Sequence, residues 1–236
     1  MDSSNHTNTK AVSCWYSPEL LPEQFEHIRT LWDAMDEQCK SVHRADEIME
    51  GNLGMLAYAG DNESLSEQEL AIIRRETEKF AKKSHKAYLA KNVIGQSLII
   101  EIDRFIKDVS QNINDAHGKP FVPLPQFVVV PPGTVVKENV PWALGVRVAG
   151  NYVRHKSQWK EDAAQFLSAS GREPELADFD AKAQGSLTVL CDLVPPCNIA
   201  DLVKYDCSFT IASRLRLTSP DLCIRLFDEW KAKVIR

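Results

Sequence analysis

Phe25-Glu26-His27-Ile28-Arg29-Thr30-Leu31-Trp32-Asp33-Ala34-Met35-Asp36-Glu37-Gln38-Cys39-Lys40-Ser41-Val42 is the stretch that decides the fold class. Phe25, Ile28, Trp32, Met35, Cys39 and Val42 recur at spacings of three and four, which places them in one apolar stripe on a helix. Upstream, Ser17 suits a cap and Pro18 a first turn, while Pro22 moves the expected start of the main helix to that point. Downstream the stripe continues through Ile48, Met49, Leu53 and Leu56, weakened by Gly51 and Gly54, and Gly60-Asp61-Asn62-Glu63 reads as a turn.

Ser66-Glu67-Gln68-Glu69 forms a capping box, with a serine at the cap and a glutamate three residues on. A long helical pattern follows from Glu67 to about Ile113, its buried face marked by Leu70, Ile73, Phe80, Tyr88, Leu98, Ile102, Phe105 and Val109. Two long amphipathic helices joined by a short turn predict an antiparallel hairpin. Arg74 to Lys86 is heavily charged; the ordinary meaning of such a run is a solvated helix face, and the competing one an interaction surface.

Residues 114–141 differ in kind. Pro120, Pro123, Pro125, Pro131, Pro132 and Pro141 repeatedly interrupt any helix. Phe127-Val128-Val129-Val130 and Thr134-Val135-Val136 suit a short β-hairpin turning at Pro131-Pro132-Gly133. A third helix is expected from Trp142 to Trp159, with Trp142, Val146, Ala149 and Val153 inward and a continuation or restart over Asp162 to Leu167. Ser170-Gly171-Arg172-Glu173-Pro174 reads as a loop. Leu187 to Val194 is compatible with a strand or a buried helix, and Pro195-Pro196 ends it. Leu202, Tyr205, Phe209 and Ala212 fit one helix; Ser219, Pro220 and Asp221 open the last, with Leu222, Leu226 and Trp230 along one face.

The expected fold is therefore mainly α: a helical bundle with long antiparallel helices and a Pro-rich insertion able to hold a short β-hairpin. Residues 1–13 are polar and aperiodic and are expected to be a disordered tail, with 14–236 a single helical domain that carries the insertion at 114–141.

Composition narrows the function. Hydrophobic residues at 44% and charged residues at 26% are enough to build a core without staples. A net charge of -5 argues against whole-surface attraction to nucleic acid or anionic membrane, while leaving room for a local basic patch. Neither a secretory signal nor an apolar run of membrane-spanning length is found, so a cytoplasmic protein without a membrane partner is expected. Cys14, Cys39, Cys191, Cys197, Cys207 and Cys223 form no Cys-x-x-Cys pair and read as reduced thiols. There is no phosphate-binding Gly loop, no Ser-centred elbow and no His-Glu-x-x-His; neither a metal nor a cofactor is called for. His43, His117 and the basic run Lys82-Lys83-Ser84-His85-Lys86 are weaker candidates for chemistry.

The strongest candidate lies in Arg147-Val148-Ala149-Gly150-Asn151-Tyr152-Val153-Arg154-His155. On a helix Arg147, Asn151 and His155 are successive i, i+4 neighbours, with Arg154 beside them. A histidine can move a proton, an arginine can hold two phosphate oxygens, and an asparagine can orient either group. Together they suit metal-independent cleavage of a phosphodiester, with the RNA 2′-hydroxyl as nucleophile. Gly150 would let a ligand or another backbone approach this face. The bland alternative is structural: His155, Arg154 and Lys156 near a helix end favour the dipole, Asn151 satisfies neighbouring backbone, and Tyr152 and Trp159 pack.

Asn151-Tyr152-Val153-Arg154-His155 resembles the helix signature of the HEPN superfamily, small helical domains many of which are ribonucleases of bacterial toxin–antitoxin and anti-phage systems. The resemblance covers about ten residues and matches Asn151 and His155 to the motif's polar and histidine positions. It implies His155 as acid/base group, Arg147 or Arg154 as phosphate clamp and Asn151 as orienting group. It further implies RNA or a protein partner such as an antitoxin, and a homodimer with the motif near the two-fold axis. Gly150 stands where the family has arginine, and the span from Arg147 to His155 is about one residue too long. Two functions follow as expectations. The first is a non-catalytic binding or regulatory protein with a degenerate HEPN-like fold in bacterial defence; the alternative is the endoribonuclease.

Overall fold

The computed structural model describes residues 20–62, 65–116, 135–137, 140–194 and 198–234. The expected tail, Ser17 and Pro18, and the strand Phe127–Val130 with its Pro-Pro-Gly turn lie outside them. The chain folds as a helical bundle. Helix α1 spans Leu20–Asn62 and α2 spans Glu67–Ala116, packed side by side as the predicted antiparallel hairpin. Strand β1 (Val135–Lys137) pairs antiparallel with β2 (Val140–Pro141), Val135 opposite Pro141 and Lys137 opposite Val140. Then come α3 (Trp142–Ser170), a 3₁₀ turn (Leu176–Asp178), α4 (Ala181–Leu193), α5 (Ile199–Lys204), α6 (Ser208–Arg214) and α7 (Pro220–Val234).

The start of α2 is made by the capping box. The Ser66 backbone N–H donates to Glu69 Oε2 at 2.8 Å, and the Glu69 N–H donates to Ser66 Oγ at 3.3 Å. The Ser66 hydroxyl, which donates to Glu69 Oε2 at 2.7 Å, and then the Ser66 N–H hold the Glu69 carboxyl below the usual carboxylate range. The core takes Ile28, Trp32 and Met35 from α1 and Leu98, Ile99, Ile102, Phe105 and Ile106 from α2. These lie in the half of the hairpin away from its tip, where α3 and α6 pack on α2 and Phe227 of α7 meets Phe105. Toward the tip, among the described residues, the buried positions between Val42 and Ala90 are Ala45, Asn52, Ala59 and Ala87. This half is an arm of two helices.

The arm explains three departures from the periodic pattern. The buried face is expected to hold Tyr88, Leu53 and Ile48, yet Tyr88 is 43% exposed and Leu53 and Ile48 are exposed as well. Two helices alone bury one narrow seam, and the inward positions fall on Ala87 and Asn52. The sequence pattern implies a wider apolar stripe than a single partner can cover.

Helix α3 runs unbroken past Trp159 to Ser170, and Gly171 (φ 70°) ends it. Residues Leu187 to Val194, open between strand and helix in the sequence, belong mostly to helix α4. Its start is set by Asp180, whose carboxylate accepts the Ala183 N–H at 2.8 Å.

The single helix expected over Leu202 to Ala212 is instead two, α5 and α6, broken at Tyr205–Cys207. Tyr152 of α3 fills the break. It is fully buried, its hydroxyl lies 3.1 Å from the carbonyls of Leu202 and of Tyr205, and it accepts the Cys207 N–H at 3.2 Å. A tertiary hydrogen bond here replaces helical ones, which local periodicity cannot reveal. Tyr152→Phe is expected to destabilise the protein by about 1–3 kcal/mol, because buried backbone groups lose their partner. Urea unfolding followed by circular dichroism measures it; a loss below a few tenths of a kcal/mol would show that the break does not depend on the hydroxyl.

Candidate functional site

Helix α3 turns its candidate residues toward α2, and the residue that organises them is Asp103. Its carboxylate is fully buried. Arg147 Nη1 lies 3.0 Å from Asp103 Oδ1 and 3.1 Å from Oδ2, and Arg154 Nη1 lies 2.8 Å from Oδ2. Lys107, one turn along α2, places Nζ 3.1 Å from the same oxygen. The Arg147 and Arg154 side chains keep 25% and 34% of their exposure, so each is held at a buried carboxylate while part of it still meets solvent. Three cations around one carboxylate leave the cluster with an excess of positive charge.

Gly150 sits between the two arginines and lets the carboxylate in. A Cβ at this position would fall 2.7 Å from Asp103 Oδ2 and 2.9 Å from its Cγ. The close approach that the sequence permits at Gly150 is thus made by a side chain of the protein's own second helix.

The i, i+4 series of the sequence separates in the structure. At about 100° per residue, Arg154 lies about 20° round the helix from Arg147, whereas His155 lies about 80° round. Arg147, Gly150 and Arg154 therefore form the row against α2, and Asn151 and His155 stand to its side. Asn151 Oδ1 accepts from Arg154 Nη2 at 3.2 Å, so it orients the arginine. The His155 ring stacks on Trp159 with centroids 6.2 Å apart and planes at 23°. Among the described residues no hydrogen bond joins His155 to Asn151, Arg147 or Arg154. Trp159 and Tyr152 are buried packing residues.

A second polar hub lies where α2, α3 and α6 meet. Asp206 Oδ2 accepts from Gln96 Nε2 at 2.6 Å and from Lys156 Nζ at 2.7 Å, and Oδ1 accepts the Ser208 N–H at 3.1 Å. Desolvation works to raise the Asp206 pKa, yet the hydrogen bonds from Lys156 and Ser208 outweigh it, and the net shift is downward. Beside this hub a groove of about 190 Å³ is lined by Lys156, Lys160, Lys204 and Asp206 among others, and does not include His155.

Asp103 and Asp206 are the site residues that sequence reasoning missed. Asp103 carried a signal: it interrupts the row Ile99, Ile102, Ile106 on the buried stripe of α2, where a carboxylate has to find a cation. Asp206 carried none, since its role depends on the break between α5 and α6.

Among the described residues no group of three or more His, Cys, Asp or Glu side chains is placed to hold a metal ion, and no helix is long and apolar enough to cross a membrane. Among the described residues no disulfide is formed, and burial pushes the Cys223 thiol up to about 12. The chain matches no protein-family model, no curated protein and no solved structure.

Proposed function

We propose that this chain is a non-catalytic helical binding protein, a degenerate relative of the HEPN fold that acts through a protein partner in bacterial defence. One observation carries the reading. Both guanidinium groups that would clamp a phosphate are committed to the buried Asp103 carboxylate, which occupies the space opened by Gly150. The face that resembles a nuclease motif serves here as a clamp between α2 and α3.

The endoribonuclease remains the second reading, and a specific observation favours it. The cluster holds more cations than carboxylates, and the half-buried His155 ring stands on the same helix next to Arg154. In that reading His155 is the acid/base group, Arg147 and Arg154 face the phosphate with the parts that meet solvent, and two copies meet about a two-fold axis near Asn151 and His155.

Incubation of structured RNA in EDTA with the wild type and with His155→Ala separates the two. The expected result is the same absence of cleavage in both. Cleavage by the wild type that disappears in His155→Ala would overturn the binding reading and install the nuclease.

A further inference from the structure

The arm of the hairpin presents a face that the clamp does not use. On α1 the inward row is Ala45, Met49, Asn52, Leu56 and Ala59, and on α2 it is Ile73, Thr77, Phe80, Ser84, Ala87 and Ile94. The residue just before an inward position lies about a quarter-turn round its helix. In two antiparallel helices these preceding residues fall on the same side of the hairpin, because reversing the chain direction also reverses the sense of rotation.

One side of the arm is therefore lined by Ile48, Gly51 and Met55 of α1 and by Ile72, Glu76, Lys79, Lys83, Lys86 and Val93 of α2, three lysines against one carboxylate. Met55 is 49% exposed, Ile72 59% and Val93 60%. Ile72, Lys79, Lys86 and Val93 are spaced seven apart, as are Ile48 and Met55. This is the repeat with which a helix meets another helix. An open groove of about 560 Å³ follows the cationic stretch along Arg75, Lys79, Lys82, Lys83 and Lys86, with Glu78 at its side. These five cations outnumber the nearby carboxylates Glu76 and Glu78, and none makes an ion pair within 4 Å among the described residues. A concentrated positive, part-apolar face on a chain of net charge -5 calls for an acidic occupant.

We propose that this face of the arm is the docking site for an acidic amphipathic helix of a partner protein. The proposal rests on the binding reading and names the class of partner. Exposed apolar side chains in heptad register, Ile48 with Met55 on α1 and Ile72 with Val93 at the two ends of the lysine row on α2, distinguish a helix from a phosphate chain, which would leave Ile72, Met55 and Val93 facing water. The charge distinguishes it from the same face of a second copy, where lysines would meet lysines. Beside the cations, the α1 row of Arg44, Ile48, Gly51, Met55 and Tyr58 offers a further cation and no carboxylate. The docked helix would lie along this side of the arm as the third helix of a coiled coil, its leucine-like row against Met55, Ile72 and Val93 and its carboxylates against Lys79, Lys83 and Lys86.

The probe is a fluorescein-labelled synthetic peptide of about three heptads, with leucine at the a and d positions and glutamate at e and g. Its anisotropy is titrated with the full chain. The expected result is saturable binding. It should weaken at least tenfold in Lys79→Glu/Lys83→Glu/Lys86→Glu and in Met55→Ser/Ile72→Ser, and be absent for the peptide with lysine at e and g. All five substituted side chains are exposed, and circular dichroism confirms that the variants fold. Failure of the acidic peptide to bind overturns the proposal. So does binding of a single-stranded RNA of similar length that equals the peptide's and survives Met55→Ser/Ile72→Ser, which would make the ridge a polyanion surface. A doubled mass by light scattering that reverts to monomer in the triple lysine variant assigns the face to a second copy and also overturns it. Peptide failure without RNA cleavage removes only this occupant, whereas His155-dependent cleavage removes the binding reading itself.

Discussion

Asp103→Asn is expected to lower the unfolding free energy by about 3 kcal/mol, the low end of the range for breaking a buried ion pair from one side. The asparagine keeps an acceptor oxygen but loses the charge that holds Lys107, Arg147 and Arg154 within 3.1 Å of one carboxylate. Without it three cations face one another at the contact between α2 and α3. The low end applies because the arginine side chains retain a quarter to a third of their exposure and can partly re-solvate. Urea unfolding with an unchanged denaturant slope measures the effect. A loss below 1 kcal/mol would show that the cations return to water freely, and that Asp103 does not clamp the helices. The same variant bears on function. If the cluster is structural, its effect lies in stability, whereas a phosphate-binding cluster released from Asp103 would gain affinity for RNA.

Trp142→Ala is expected to cost more, about 4 kcal/mol. The indole is fully buried where α3 begins, meets the Phe227 ring edge-on at 6.5 Å between centroids, and donates from Nε1 to the Leu215 carbonyl at 2.9 Å. That carbonyl belongs to the turn that ends α6. The Leu217 N–H returns to the Ala212 carbonyl at 2.9 Å and the Arg216 N–H to the Ser213 carbonyl at 3.0 Å, with Arg216 at φ 62°. A second indole, Trp32 of α1, donates to the Leu217 carbonyl at 2.7 Å. Two helices distant in sequence are thus pinned to one turn, and truncation of Trp142 opens a cavity and orphans a carbonyl together. Trp142→Phe separates the two effects by keeping most of the volume. Chemical denaturation of both variants gives the numbers, and a cost under 2 kcal/mol for alanine would mean that Phe227 and its neighbours collapse into the space.

Much of the helical architecture was legible in residues alone. The Ser66–Glu69 box, the three-and-four spacing of Ile28, Trp32 and Met35, and the Pro220 start of the last helix each state a local physical preference that the structure obeys. The site was legible in its composition, but which of its residues meet α2 was not. Arg147, Asn151 and His155 share a helix as expected, but the row that meets α2 is Arg147, Gly150 and Arg154.

By itself the sequence determined the two long helices and their hairpin, the helix that begins at Trp142 and the last helix, and that a cationic run lies along one of them; it left Leu187–Val194 open between strand and helix. These depend on periodicity, caps and charge, all of which are local. Only the tertiary structure decided where the core stops along the hairpin, why one helix breaks at Tyr205–Cys207, and what the two arginines hold. Each of those is settled by a partner far away in the chain: the absence of covering helices over the arm among the described residues, the Tyr152 hydroxyl, and the buried carboxylate of Asp103. A buried charge has to be paired and a broken helix has to be satisfied, but which distant group does so is a property of packing, and no spacing within one helix encodes it.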